Sequence, residues 1–504
     1  MRLLRSGARR GRLAPLLLLT LVACGGGSES PGGPPTPPNQ RGVMTRGPYL
    51  QHSEDGVAVT WYTETTGEGR VRFFSDSDQT GEVMAPSGAL RHEATLTGLV
   101  PNMRYSYRLY SASGPLTSAS GEVEFAFRAP DPNAMRFVVF ADCGSGSAGQ
   151  LALARALAAE PVAPQFVMLA GDVVYPPADA AGWDARFFAP YRALLPALRF
   201  YAVAGNHDFE VFGGRLFYEF FTLPRNGAPG LAPESSYWLE RGGALLIAHD
   251  TNQTAPVLRQ HAIPWHNEVA RRESTFRIVV QHHSLFTSGP NFMEPPVPEL
   301  RQLLAPLYTA SGVDVVFAGH DHFYERTRPI AGVVYVTTGA GGATLYPRVT
   351  QSDFTAAFAN DRHSYTYVDV NGRTLTLRQM DLEGRTIDSA TLTKAVAFAD
   401  PLAAQAGPAR GPGRLLAQRG FALDSTLEPA EAVLRVRGVS DYRIRLNDVE
   451  VARGGIGDGA PAAFSVPART LRAGRNALVL EGFATGPAGA VPGLELVLVA
   501  SGRR

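Results

Sequence analysis

Hydrophobic and polar positions fall into three successive patterns. Over residues 57–62, 70–74 and 105–110 apolar and polar side chains alternate, with Gly98, Pro101 and Asn102 between the runs. Short period-two runs separated by turn residues predict an antiparallel β-sandwich over 43–129. From Met135 the pattern changes to solid apolar blocks at 137–140, 166–169, 200–203 and 278–280 and a run at 313–317 interrupted only by Asp314, with helix-length stretches such as 151–159 between them. Strands buried on both faces and alternating with helices predict an α/β domain over 134–395. Alternation returns at 432–437, 442–446 and 478–480, after a stretch rich in Gly, Pro and Ala. That predicts a linker at 396–412 and a second β-sandwich over 413–504. At 504 residues the chain is long enough for about three such domains.

Each apolar block of the middle region ends in polar residues. They are Asp142; Asp172 and Tyr175; Asn206, His207 and Asp208; His282 and His283; His320, Asp321 and His322. Sheets of this kind bind ligands at the carboxyl ends of their strands. Carboxylate, amide oxygen, phenolate and imidazole together suit two adjacent metal ions of borderline to hard character. Asp172 has two oxygens and can bridge, while His320 and His322, one residue apart, can serve one ion each. Two ions about 3.5–4 Å apart form a clamp for in-line displacement at phosphorus.

Five motifs occur in a fixed order: Asp142-Cys143-Gly144, Gly171-Asp172-Val173-Val174-Tyr175, Gly205-Asn206-His207-Asp208, Val279-Val280-Gln281-His282 and Gly319-His320-Asp321-His322. Together they resemble the motifs of the purple acid phosphatases, within the calcineurin-like metallophosphoesterases. The resemblance extends over about 43–395, because residues 95–110 are similar to the later strands of fibronectin type III domains, which members often carry in front. It implies an α/β metallophosphoesterase sandwich, two sheets flanked by helices, between the two β-sandwiches. It also implies a ferric ion held by Asp142, Asp172, Tyr175 and His322, and a second ion, Fe(II), Zn or Mn, held by Asp172, Asn206, His282 and His320. The implied reaction is hydrolysis of a small phosphate monoester, as in an acid phosphatase, by in-line attack of metal-activated water. His207 would bind a phosphate oxygen or protonate the leaving group, and Asp208 would fix its tautomer. Plant members carry further histidines beyond the position of His282. The corresponding stretch here, 288–294, has none, and His283 is the candidate to replace them. A phosphodiesterase or nucleotide pyrophosphatase using the same site is the alternative activity. A non-catalytic surface protein acting through its β-sandwiches is the alternative from another class. The C-terminal pattern resembles jelly-roll, galactose-binding-like modules, which implies a packing role or, as the alternative, contact with a glycan or cell surface.

Composition narrows the setting. With 45% hydrophobic and 18% charged residues the bulk of the chain is globular, and a net charge of +1 leaves no basic face for nucleic acid. The first 23 residues hold five arginines and no acid, so the remainder carries −4. The apolar run at 13–23 falls short of the about 20 residues a spanning helix needs, which makes 1–23 a signal peptide. It ends in Leu21-Val22-Ala23-Cys24, which resembles the lipobox of bacterial lipoproteins. That predicts lipid on Cys24, a flexible tether at 24–42, and an exported, membrane-anchored protein, in the outer membrane by analogy with lipoprotein sorting. The one other cysteine, Cys143, reads as a small buried residue, and Arg326 as structural. His52, His92, His249, His261, His266 and His363 read as surface or core.

Overall fold

The computed structural model describes residues 42–397 except Val211, and beyond them 414–423, 431–437, 439–454, 462–471, 474–484 and 493–501. The leader, Cys24, the tether and most of the expected linker lie outside the described residues. Among the described residues no helix is long and apolar enough to cross a membrane.

The apolar blocks of the middle region form two sheets. In the first, Arg199–Val203, Phe166–Ala170 and Met135–Phe140 run parallel, and Ser364–Asn371, Thr374–Asp381 and Thr386–Ala397 continue it antiparallel. In the second, Ala244–Ala248, Phe276–His283, Val315–Gly319 and Val334–Thr338 are parallel, with antiparallel strands at both edges. Successive side chains on a strand point to opposite faces. Ile278, Val280, Val315 and Phe317 therefore enter the core between the sheets, where Phe317 meets Phe137 edge-on at 6.1 Å. Val279 and Val316 point the other way, onto Leu300, Leu304 and Leu307 of the helix Val297–Ser311. That helix stops at Gly312, whose left-handed backbone (φ 71°) suits a residue without Cβ. On the first sheet the helix Ala148–Ala158 starts at Ser147, whose side chain accepts from the Gln150 N–H.

The N-terminal strands, chiefly Arg46–His52, Gly56–Ser75, Thr80–Thr97 and Arg104–Ser111, are antiparallel and have their own core around Trp61, Tyr105 and Tyr107. They join the first sheet where Leu50 pairs with Arg199. Arg46 fastens the junction, reaching Asp184 at 2.6 Å and lying over the rings of Tyr62, Phe188 and Phe220.

The C-terminal strands are not a bead on a string. Gly493–Ser501 pairs along Thr386–Ala397, from Ala390 opposite Ser501 to Ala397 opposite Glu495, so the first sheet runs on into Glu431–Arg437 and Ala462–Val466. A four-stranded sheet packs against this extension through Leu434, Val436, Ile444, Leu446, Leu478 and Leu480. Fully buried Asp314 receives Arg435 at 2.6 Å and Lys394 at 3.2 Å, tying the extension to the end of the helix Val297–Ser311. The two cations hold its carboxyl below the usual range against the opposing effect of burial.

Candidate metal centre

Because the central strands of both sheets are parallel, their carboxyl ends lie along one edge. Asp142 follows Met135–Phe140, Asp172 follows Phe166–Ala170, Asn206 follows Arg199–Val203, His282 ends Phe276–His283, and His320 and His322 follow Val315–Gly319. Asp142, Asp172 and His320 sit at left-handed backbone angles (φ 56°, 51° and 71°). Such positions cost non-glycine residues on the order of 1–3 kcal/mol and gather at functional sites. Two glycines make room for the approach. A Cβ on Gly205 would collide with Asp172 Oδ1, and one on Gly171, itself at φ 91°, with the ring of His282.

The acids also tie the loops together. Asp142 Oδ2 accepts from the His320 N–H (2.9 Å), and Asp172 Oδ1 from the His207 N–H (3.0 Å). Asp208 does not perform the expected task of orienting His207. Its carboxylate accepts from the backbone N–H groups of Val173 (3.1 Å), Val174 (3.1 Å) and Gly205 (2.8 Å), clamping the second motif to the third. Burial and the charge of Asp172 push that carboxyl up to about 7, against the pull of the three donors.

Two donor groups meet at Asp172. In the first, Asn206 Oδ1 lies 3.0 Å from His282 Nε2 and 3.1 Å from His320 Nδ1, those two nitrogens are 3.3 Å apart, and Asp172 Oδ1 is 3.4 Å from His282 Nε2. His282 Nδ1 is committed to the Ala170 carbonyl (3.0 Å), so its Nε2 carries a lone pair. Burial holds both imidazoles neutral, pushing their pKa down to about 3. His282 Nε2, Asn206 Oδ1 and His320 Nδ1 thus share at most the one proton that His320 can carry. In the second group the Tyr175 hydroxyl lies 2.9 Å from His322 Nε2 and 3.3 Å from Asp142 Oδ1, while His322 Nδ1 faces the Thr344 carbonyl at 2.8 Å. Asp142, Asp172 and His282 offer donor atoms within 4.8 Å of one another. Asp142 and Asp172 are almost wholly buried, and burial pushes both carboxyls up, Asp142 further through the charge of Asp172. Burial likewise raises the Tyr175 phenol. Oxygen and imidazole donors that repel one another in a buried cleft fit cations placed among them.

The structure brings all seven expected ligands together, with His207 beside them and His283 behind. His207 is one-third exposed, its ring packs 4.7 Å from Tyr175, and its Nε2 is 3.9 Å from Asp172 Oδ2. His283 is 2% exposed, with Nδ1 2.8 Å from Thr251 Oγ1 and its ring 4.6 Å from that of His320. Thr251 thus engages its Nδ1, and the His283 ring supports that of His320. Cys143 is buried and its thiol pushed up to about 12 by burial, and Arg326 pairs with Asp388 at 2.7 Å, away from the donors. Sequence reasoning missed Tyr346, whose ring stacks on His322 at 3.9 Å and whose N–H donates to the His322 carbonyl. It follows the glycine-rich loop at 338–342, which was the available signal.

Residues 135–324 match the calcineurin-like phosphoesterase family. An uncharacterised protein of Mycobacterium tuberculosis is 26% identical over 359 residues, covering 60% of this chain and 65% of the relative. Purple acid phosphatase 23 of Arabidopsis thaliana is 25% identical over 340 residues, 57% of this chain and 71% of that protein. The chain thus spans just under two thirds of the length of the mycobacterial relative. The structure of purple acid phosphatase PPD1 from yellow lupin shares the fold, with a TM-score of 0.57 at 19% identity over 68% of this chain and 73% of that one. The family that matches 135–324 implies a dinuclear metal centre, and the donor set gathered here is chemically suited to one. Residues 135–324 thus carry a calcineurin-like phosphoesterase domain, and the chain resembles the purple acid phosphatases in sequence and in fold.

Proposed function

We propose that the chain hydrolyses small phosphate monoesters outside the cytoplasm, as an acid phosphatase with a dinuclear centre. The observation that carries this reading is the convergence of Asp142, Asp172, Tyr175, Asn206, His282, His320 and His322 on one sheet edge with too few protons to satisfy them. Asp142, Asp172, Tyr175 and His322 would hold a ferric ion, and Asp172, Asn206, His282 and His320 an iron(II), zinc or manganese ion. Ions held there supply Lewis acidity and an activated water for in-line displacement. A phenolate from Tyr175 is the donor that favours the ferric choice, and Tyr175→Phe is expected to remove a visible charge-transfer band.

The chain's own residues bind and orient. His207, at the open side of the donors, carries a proton on Nε2 to the leaving oxygen as the P–O bond breaks. Tyr175 holds the imidazole from one face, and Asp208 fixes the loops that carry Asp172 and Asn206. Export and anchoring through Cys24 rest on the leader pattern. Cys24→Ser is expected to move the protein from the membrane fraction to the soluble one.

The direct test compares an aryl phosphate monoester with a diester, using metal-replete protein that starts after Cys24, and Asn206→Ala as the control. Monoester turnover lost in the control supports the proposal. A preference for the diester replaces it with a phosphodiesterase. Turnover of neither moves attention to the β-regions as a binding surface.

A further inference from the structure

We propose that Glu210 is the positioning residue for His207, holding the imidazole so that Nε2 faces the donor cluster and the leaving group. The inference builds on the function proposed above. His207 and Glu210 are three residues apart on the turn formed by Asn206–Phe209 and its cap, a spacing that puts both side chains on one face. Glu210 Oε1 lies 2.5 Å from His207 Nδ1, and on the opposite side of the ring Nε2 looks toward Asp172 Oδ2 at 3.9 Å. The imidazole is strung between an outer carboxylate and an inner one, with Tyr175 against its face at 4.7 Å.

Elimination points to the same residue. Asp208, the sequence neighbour, has its carboxylate engaged by three backbone N–H groups. Asp172 Oδ1 already accepts from the His207 backbone. Glu210 is therefore the carboxylate left to orient Nδ1. The contact is an ion-pair approach without hydrogen-bond alignment, so Glu210 acts by charge, favouring a proton on Nδ1 and leaving Nε2 toward the reaction. Both partners are part-exposed, 33% for the His207 side chain and 46% for Glu210, so the pair adds little to stability and can be cut without unfolding the turn.

The test compares wild type, Glu210→Ala, Glu210→Gln, His207→Ala and the double alanine variant. The substrates are an aryl phosphate with an acidic phenol and an alkyl phosphate with a poor leaving group, and metal content and thermal midpoint are recorded for each protein. In Glu210→Ala we expect kcat to fall about tenfold or more on the alkyl ester and about threefold or less on the aryl ester, with KM within about twofold. Glu210→Gln, which lacks the charge, recovers little of the loss. Glu210→Ala adds no further loss to His207→Ala. Equal losses on both esters, additive losses in the double variant, or a loss that tracks metal content would overturn the proposal. Nitrogen-15 spectra of zinc-loaded protein, with His207→Ala for assignment, decide it independently of turnover. A proton on Nδ1 that Glu210→Ala redistributes supports the proposal, and an unchanged His207 spectrum overturns it. Wild type inactive on both esters with this spectral signature intact would refute the proposed function while leaving the positioning of His207 standing.

Discussion

His282 Nε2 and His320 Nδ1 face each other at 3.3 Å, and Asn206 Oδ1 sits within 3.1 Å of both. Since His282 has committed its other nitrogen to the Ala170 carbonyl, a proton on His320 Nδ1 can serve only one of His282 Nε2 and Asn206 Oδ1, and the lone pair left over is one that a cation satisfies. The charge of Asp172 on buried Asp142 adds to the need for one. Metal binding and folding are therefore coupled. Removing the metals with a chelator is expected to lower the thermal midpoint and to cost about 3 kcal/mol or more per ion lost, taking ions supplied at about a hundredfold over Kd. Re-addition restores the midpoint. Differential scanning calorimetry checks it, and an unchanged midpoint would count against a buried centre.

Gly205→Ala places a methyl against Asp172 Oδ1 and the Asp172 backbone, neither of which can yield without moving a ligand. We expect loss of bound metal and of activity, with a stability loss of about 1–3 kcal/mol from overpacking. Gly67→Ala, with nothing within 4 Å of the added carbon, is the matched neutral control. Metal analysis and denaturant unfolding of the two variants compare them directly.

The donor residues were legible in the sequence because each closes a solid apolar block, and blocks that become parallel strands deliver their ends to one edge. Asp172 among the clustered donors and the clamp Asp208 are both acids next to a motif glycine or histidine, and only tertiary structure separates them. The direction of a carboxylate depends on which N–H groups the neighbouring loops present, and periodicity carries no such information. Glu210 and Tyr346 escaped for the same reason, since both act from turns. The pairing of the C-terminal strands with the first sheet was not legible for a different reason. Local alternation is silent about which strands pair, and Gly493–Ser501, the partner of Thr386–Ala397, comes from more than 90 residues further along the chain.

Behind the metal centre, His249 and His266 form a buried pair, Nε2 to Nδ1 at 2.8 Å, against Trp265 and Tyr308. Burial pushes the His249 pKa down from 6.5 to about 4, and that of His266 down as well. The unfolded imidazole takes up a proton below about 6.5 and the folded one does not until about 4, so the unfolded state binds more protons in that window. Stability contributed by the neutral pair is whole above the window and is lost as pH falls through it, by about 3 kcal/mol for His249 at the lower end. Urea unfolding at a series of pH values should give a flatter profile for His249→Gln than for wild type. Parallel profiles would show that His249 titrates normally.

The most direct measurement of the central claim is metal content per chain, by elemental analysis of protein purified without chelator and reloaded, for wild type and Asp172→Ala. The account predicts two ions in wild type and at most one in the variant, because Asp172 stands where the two donor groups meet. A folded wild-type protein that binds no ions in stoichiometric amount, or an Asp172→Ala variant that keeps both, would contradict it.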